Sequence, residues 1–87
     1  MASYKLLFKR SVAKDLRTFP RRDVARILQK VDALAVDPRG PGCEKLSGRE
    51  RYRVRQGAYR ILYEIHDLEL VVTVIKIGHR REVYRLP

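Results

Sequence analysis

Between Arg51 and Ile65 the chain alternates apolar and polar residues, and that period of two limits what it can fold into. Tyr52 and Val54 lie on one face, and Arg51, Arg53 and Arg55 lie on the other. After Gln56-Gly57, the residues Tyr59, Ile61, Tyr63 and Ile65 repeat the apolar parity, with Arg60, Leu62 and Glu64 opposite. Two such runs in succession predict paired strands with one face for a core and one left for solvent or a ligand. A two-residue turn at Gln56-Gly57 would pair Arg55 with Ala58 and Arg53 with Arg60. His66-Asp67-Leu68-Glu69 reads as a second turn. Leu70 to Ile77 is then β-branched and apolar on both faces, as a central buried strand should be.

The upstream half reads as scaffold. Tyr4 to Phe8 is compatible with a short first strand. Ser11 can cap a helix from Val12, with Val12, Leu16 and Phe19 at helical spacing. Pro20 interrupts that helix and can start the next. From Arg21 to Val36, an apolar stripe of Val24, Ile27, Leu28, Val31, Leu34 and Ala35 predicts an amphipathic helix. Asp37-Pro38-Arg39-Gly40-Pro41-Gly42 stops it. No helix pattern follows Gly40-Pro41-Gly42, so this loop reads as a connection to the sheet rather than a phosphate cradle. The predicted order is β-α-α-β-β-β with a short final β segment near Val83. This makes one α+β domain over residues 1–87, with a helical hairpin on one face of a small, mainly antiparallel twisted sheet.

Charge narrows the partners. Twenty Lys and Arg against ten Asp and Glu give a formal charge of +10 over 87 residues. Such a chain repels itself unless it meets nucleic acid, an anionic membrane or an acidic protein. No apolar run approaches the roughly 20 residues of a membrane span, and the first residues carry no signal-peptide pattern. Cys43 is the single cysteine, which excludes an internal disulfide and fits a reducing cytoplasm. No His/Cys/Asp/Glu set has metal-ligand spacing, so neither a metal nor another cofactor is expected. Ser-His-Asp, Cys-His and facing carboxylate arrangements are also missing from the sequence.

What remains is a face of arginines. Like charges opposite each other on a ladder destabilise it, so a face carrying Arg51, Arg53, Arg55 and Arg60 suits an anionic ligand. The planar guanidinium grips phosphate bidentately and stays charged. Near the C-terminus, His79-Arg80-Arg81-Glu82-Val83-Tyr84 adds an imidazole, two guanidiniums and a phenol. Arg81 and Glu82 could equally form a surface pair of little weight. These groups suit metal-free phosphoryl transfer, with arginines stabilising the charge and one or two titratable groups moving protons. RNA fits that inventory, because its own 2′-OH can serve as nucleophile.

Four stretches together resemble the RelE/ParE toxin superfamily, on its RelE side. They are Lys45-Leu46-Ser47-Gly48, Tyr52-Arg53-Val54-Arg55, Gly57-Ala58-Tyr59-Arg60-Ile61-Leu62-Tyr63 and Gly78-His79-Arg80-Arg81-Glu82-Val83-Tyr84. The resemblance covers nearly the whole chain, Tyr4 to Tyr84. It implies a RelE-like fold and a type II toxin that cleaves mRNA in the ribosomal A site, where mRNA and rRNA are both contacted. In that reaction the 2′-OH attacks the adjacent phosphate and leaves a 2′,3′-cyclic phosphate and a 5′-OH. It also implies a cognate acidic, RelB-like antitoxin.

Carried over by position, Arg53 and Arg55 fall on the family's basic second strand, and Arg60 is a phosphate and transition-state contact. Arg80 follows the Gly-basic step, and Tyr84 is the tyrosine that stacks on or orients the substrate base. Lys45, Arg51 and Arg81 complete the RNA-binding set. Some relatives carry lysine on that strand, whereas Arg53 and Arg55 stay protonated and are poor bases. Proton abstraction would then fall to His79 or Tyr84. Two alternatives share the charge pattern: a ParE-like inhibitor of DNA gyrase, which needs no catalytic set, and a basic nucleic-acid-binding module without activity.

Overall fold

The two alternating runs become adjacent antiparallel strands in a five-stranded sheet. The computed structural model describes residues 3–46 and 50–79. Within them, β1 (Lys5–Phe8) is followed by α1 (Arg10–Arg17) and α2 (Arg21–Val36). Then come β2 (Glu44–Lys45), β3 (Arg51–Gln56), β4 (Tyr59–His66) and β5 (Val71–His79). The sheet order is β1-β5-β4-β3-β2. β1 runs parallel to β5, and the other neighbours are antiparallel. Both helices pack on one face, giving the α+β architecture that the alternation predicts.

Parity sets the core. Tyr52, Val54, Tyr59, Ile61, Tyr63, Ile65, Val72, Val74 and Ile77 meet Val12, Ile27, Val31 and Leu34 of the helices. Leu16 and Phe19 pack against this cluster from the end of α1 onward. Leu28, at the rim of the α2 stripe, stays exposed. On the opposite face Leu62 and Ile75 form a small second cluster with Leu46.

Three expectations are corrected. The hairpin turn is Gly57-Ala58, not Gln56-Gly57, so Gln56 pairs with Tyr59, Arg55 with Arg60 and Arg53 with Leu62. Gly57 has φ of 59°, and glycine at the first central position is what a type II′ turn requires; glutamine there would be strained. The shift moves every partner by two residues, so each side chain keeps its face. Second, α1 begins at Arg10, placing Ser11 inside the first turn. The cap position is Lys9, which makes no side-chain cap bond; its N–H donates to the Val74 carbonyl at 3.0 Å, which fixes the chain as it enters the helix. Third, Glu44 and Lys45, read as loop, pair with Arg53 and Tyr52 as an edge strand. The expected β segment near Val83 lies outside the described residues.

Candidate functional site

The face turned away from the helices carries the arginines in successive rungs. Glu44, Arg53 and Leu62 share one row of the ladder, and Arg55, Arg60 and Gly78 share the row two residues along β3. Gly78 contributes no side chain to that row. Arg60 is only 4% exposed. Its Nη1 donates a long 3.4 Å bond to the Tyr59 carbonyl, and its Nε has no hydrogen-bond partner. Among the described residues no carboxylate forms an ion pair with Arg55 or Arg60. A buried guanidinium without a counter-ion is costly, and here a second arginine, the exposed Arg55, sits directly opposite it.

Arg53 is anchored differently. Its Nη2 donates to Glu44 Oε2 at 2.8 Å. That bond holds the Glu44 carboxyl below its ordinary pKa, and the fields of Arg53, Arg55 and Arg60 act in the same direction. Glu44 therefore stands as an anion in the field of three arginines. The sequence reading missed it because a lone glutamate in a Gly/Pro-rich segment carries no periodic signal; only the pairing of β2 with β3 places it here.

The remaining nominated cations divide. Lys45 Nζ is 3.2 Å from Glu50 Oε1, and Arg51 Nε is 3.2 Å from Glu64 Oε2. Both lie on or beside this sheet but are already paired. His79 is the register partner of Tyr59, so it shares the parity of the core rather than of Arg60. Its ring packs on Tyr59 at 5.0 Å. Both line a cleft of about 310 Å³ with Asp23, Arg26 and Gly57. There Tyr59 Oη donates to Asp23 Oδ2 at 2.8 Å, and this bond, helped by burial, raises the Tyr59 pKa. The structure thus brings Arg53, Arg55 and Arg60 together and places His79 on the other side. Arg80, Arg81 and Tyr84 lie outside the described residues. Among the described residues no group of three or more His, Cys, Asp or Glu could hold a metal ion, and no helix is long and apolar enough to cross a membrane.

The described residues thus form a mixed five-stranded sheet with two helices on one face and an arginine cluster on the other. The family described as the ParE toxin of the type II toxin–antitoxin system, parDE, matches residues 6–84. Toxin RelG of Mycobacterium tuberculosis is 29% identical over 86 residues, covering 94% of this chain and 97% of that protein. The toxin–antitoxin complex RelBE2 of the same organism superposes with a TM-score of 0.82 at 26% identity, over 92% of this chain and 94% of that one. The isolated Escherichia coli RelE toxin gives 0.78 at 29% identity, over 94% and 92%. The chain belongs to the RelE/ParE superfamily of type II toxin–antitoxin toxins.

Proposed function

We propose that this toxin is a metal-independent endoribonuclease that cleaves mRNA in the ribosomal A site and so stops translation in the cytoplasm. The observation that carries this reading is Arg60: a 96% buried cation with an orphaned Nε, facing Arg55 across the ladder. A phosphodiester supplies the missing negative charge and accepts from both guanidiniums. The charge that builds on phosphorus as the 2′-oxygen attacks strengthens those bonds in the transition state. Likeness to the RelE structures supports the reaction, and the formal charge of +10 supports an rRNA-lined destination. Likeness to the RelBE2 complex supports a RelB-like antitoxin as partner, whose acidic residues would suit this same face.

A second reading is favoured by one finding: the matching family description is that of ParE. Under it the chain would bind DNA gyrase and need no catalytic arginine. Induced expression separates the two. Arg60→Met is expected to abolish growth arrest and cleavage on programmed ribosomes, since an apolar chain of similar length can fill the buried site without the charge. Undiminished toxicity in Arg60→Met, with DNA-damage signalling and intact mRNA, would favour gyrase instead.

A further inference from the structure

We propose that Tyr59, braced by Asp23, is the positioning residue that keeps Arg60 aimed at the scissile phosphate. The assignment rests on the RNA-cleavage reading and names what aligns its central cation. Tyr59 occupies the first rung after the Gly57-Ala58 turn, between Gln56 and His79, and Arg60 occupies the next, between Arg55 and Gly78. The two side chains leave the strand on opposite faces.

The need for a brace follows from where the cations sit. Arg55 and Arg60 face each other one rung from the end of the hairpin. Like charges paired across a ladder push the strands apart, and the ends of strands open more readily than their middles. Arg60 has little of its own to resist this. Its guanidinium makes one hydrogen bond among the described residues, the 3.4 Å bond from Nη1 to the Tyr59 carbonyl, and its Nε has none. Wherever the Tyr59 peptide moves, the anchor of Arg60 moves with it.

Tyr59 in turn is fixed from three sides. Its ring centroid lies 4.7 Å from that of Phe19, in the segment joining α1 to α2, and 5.0 Å from that of His79 on β5. Its hydroxyl donates to Asp23 Oδ2 at 2.8 Å, and Asp23 stands in the first turn of α2. That turn is itself tied down, because the Asp23 N–H donates to the Pro20 carbonyl at 3.0 Å. Packing alone does not complete the grip. The cleft of about 310 Å³ opens beside the ring, with Asp23, Tyr59 and His79 among its walls, so a ring that loses its hydroxyl bond has space to tilt. The bond to α2 therefore sets the strand end, and the strand end sets the guanidinium. Such alignment matters most in the transition state, where a misplacement of about 1 Å can cost about 100-fold in rate.

The test is single-turnover cleavage of mRNA on programmed ribosomes by the full chain, with ribosome binding and melting temperature measured in parallel. Tyr59→Phe is expected to lower the cleavage rate roughly 10- to 100-fold while ribosome binding stays within a few-fold. Asp23→Ala should match it, and the double variant should lose no more than either single one, because both remove the same bond. Asp23→Asn offers an amide oxygen to the same hydroxyl and should keep most of the rate. Tyr63→Phe is the stability control. It removes a phenol bond of the same kind further along β4, to the Pro38 carbonyl, and should lower the melting temperature without slowing the bound toxin. A Tyr59→Phe rate within a few-fold of wild type would overturn the proposal. So would equal slowing by Tyr63→Phe at an equal loss of melting temperature, or a fall in rate matched by an equal fall in binding. Arg60→Met keeps the two readings apart. An inert Arg60→Met beside a fully active Tyr59→Phe removes the brace and leaves the nuclease standing; undiminished cleavage by Arg60→Met overturns both.

Discussion

Arg55 and Arg60 are register partners across the β3–β4 ladder, on the face that the helices leave open. Two like charges in one rung oppose folding, by roughly 0.2–1 kcal/mol for such pairs, and burial of Arg60 adds to the cost. Arg55→Glu would turn the repulsion into a pair and give Arg60 a counter-ion. This variant is expected to melt higher than wild type and to lose ribosome binding, because the phosphate site is then filled by the protein's own carboxylate. Thermal denaturation and a ribosome pelleting assay check both halves. A variant that melts lower would show that the pair is not under strain.

The cations of the sheet are not uniform in use. Arg51 and Lys45 are tied to Glu64 and Glu50, whereas Arg55 has no such partner among the described residues. Only a cation free to meet a phosphate releases counterions when it does so. Arg55→Ala is therefore expected to flatten the salt dependence of ribosome binding by nearly one unit in log–log slope, while Arg51→Ala and Lys45→Ala flatten it less. Binding titrations over a range of KCl concentrations measure the slopes directly.

Much of this was legible in the sequence, because the parity of Arg51 to Ile65 is a local property. A wrong turn position changed Arg53's partner from Arg60 to Leu62 yet left every face correct, since the error was an even number of residues. What could not be read depends on long-range pairing. β2 is two residues long and shows no period, so Glu44 had no signal that placed it beside Arg53. His79 looked equivalent to the arginines near it in sequence, but its rung opposite Tyr59 turns it to the helix side. The orphaned Nε of Arg60 is likewise a product of burial, which composition does not report.

Tyr63 ties the sheet to the segment after α2. Its ring is fully buried and stacked on Tyr52 with centroids 5.7 Å apart, and its hydroxyl donates to the Pro38 carbonyl at 2.6 Å. Burial pushes the phenol's pKa well up, so it donates at all physiological pH. Tyr63→Phe keeps the ring contacts and orphans the carbonyl. A loss of about 1–3 kcal/mol is expected, read as a lower urea midpoint at unchanged m-value. A larger loss with a changed m-value would mean that the ring packing had also been disturbed.

Asp67 closes the far end of the molecule. Arg39 Nη1 and Nη2 donate to its two carboxylate oxygens at 3.0 and 2.9 Å, and Tyr4 Oη donates to Oδ1 at 2.8 Å. One carboxylate in the β4–β5 turn thereby joins the chain before β1 to the chain after α2. The bonds from Arg39, and then from Tyr4, lower its pKa from 3.8 to about 2. Because the folded value lies below the ordinary one, this contribution to stability is fully present above about pH 4 and disappears as pH falls through about 2. Asp67→Asn should therefore melt below wild type at neutral pH, with the gap narrowing through that window until the two curves meet. The group is solvent-exposed, so added salt should shrink the neutral-pH gap as well. Melting curves at stepped pH, in low and high salt, follow both trends; a gap that persists unchanged below pH 2 would assign the effect of the substitution to packing rather than to the carboxylate's charge.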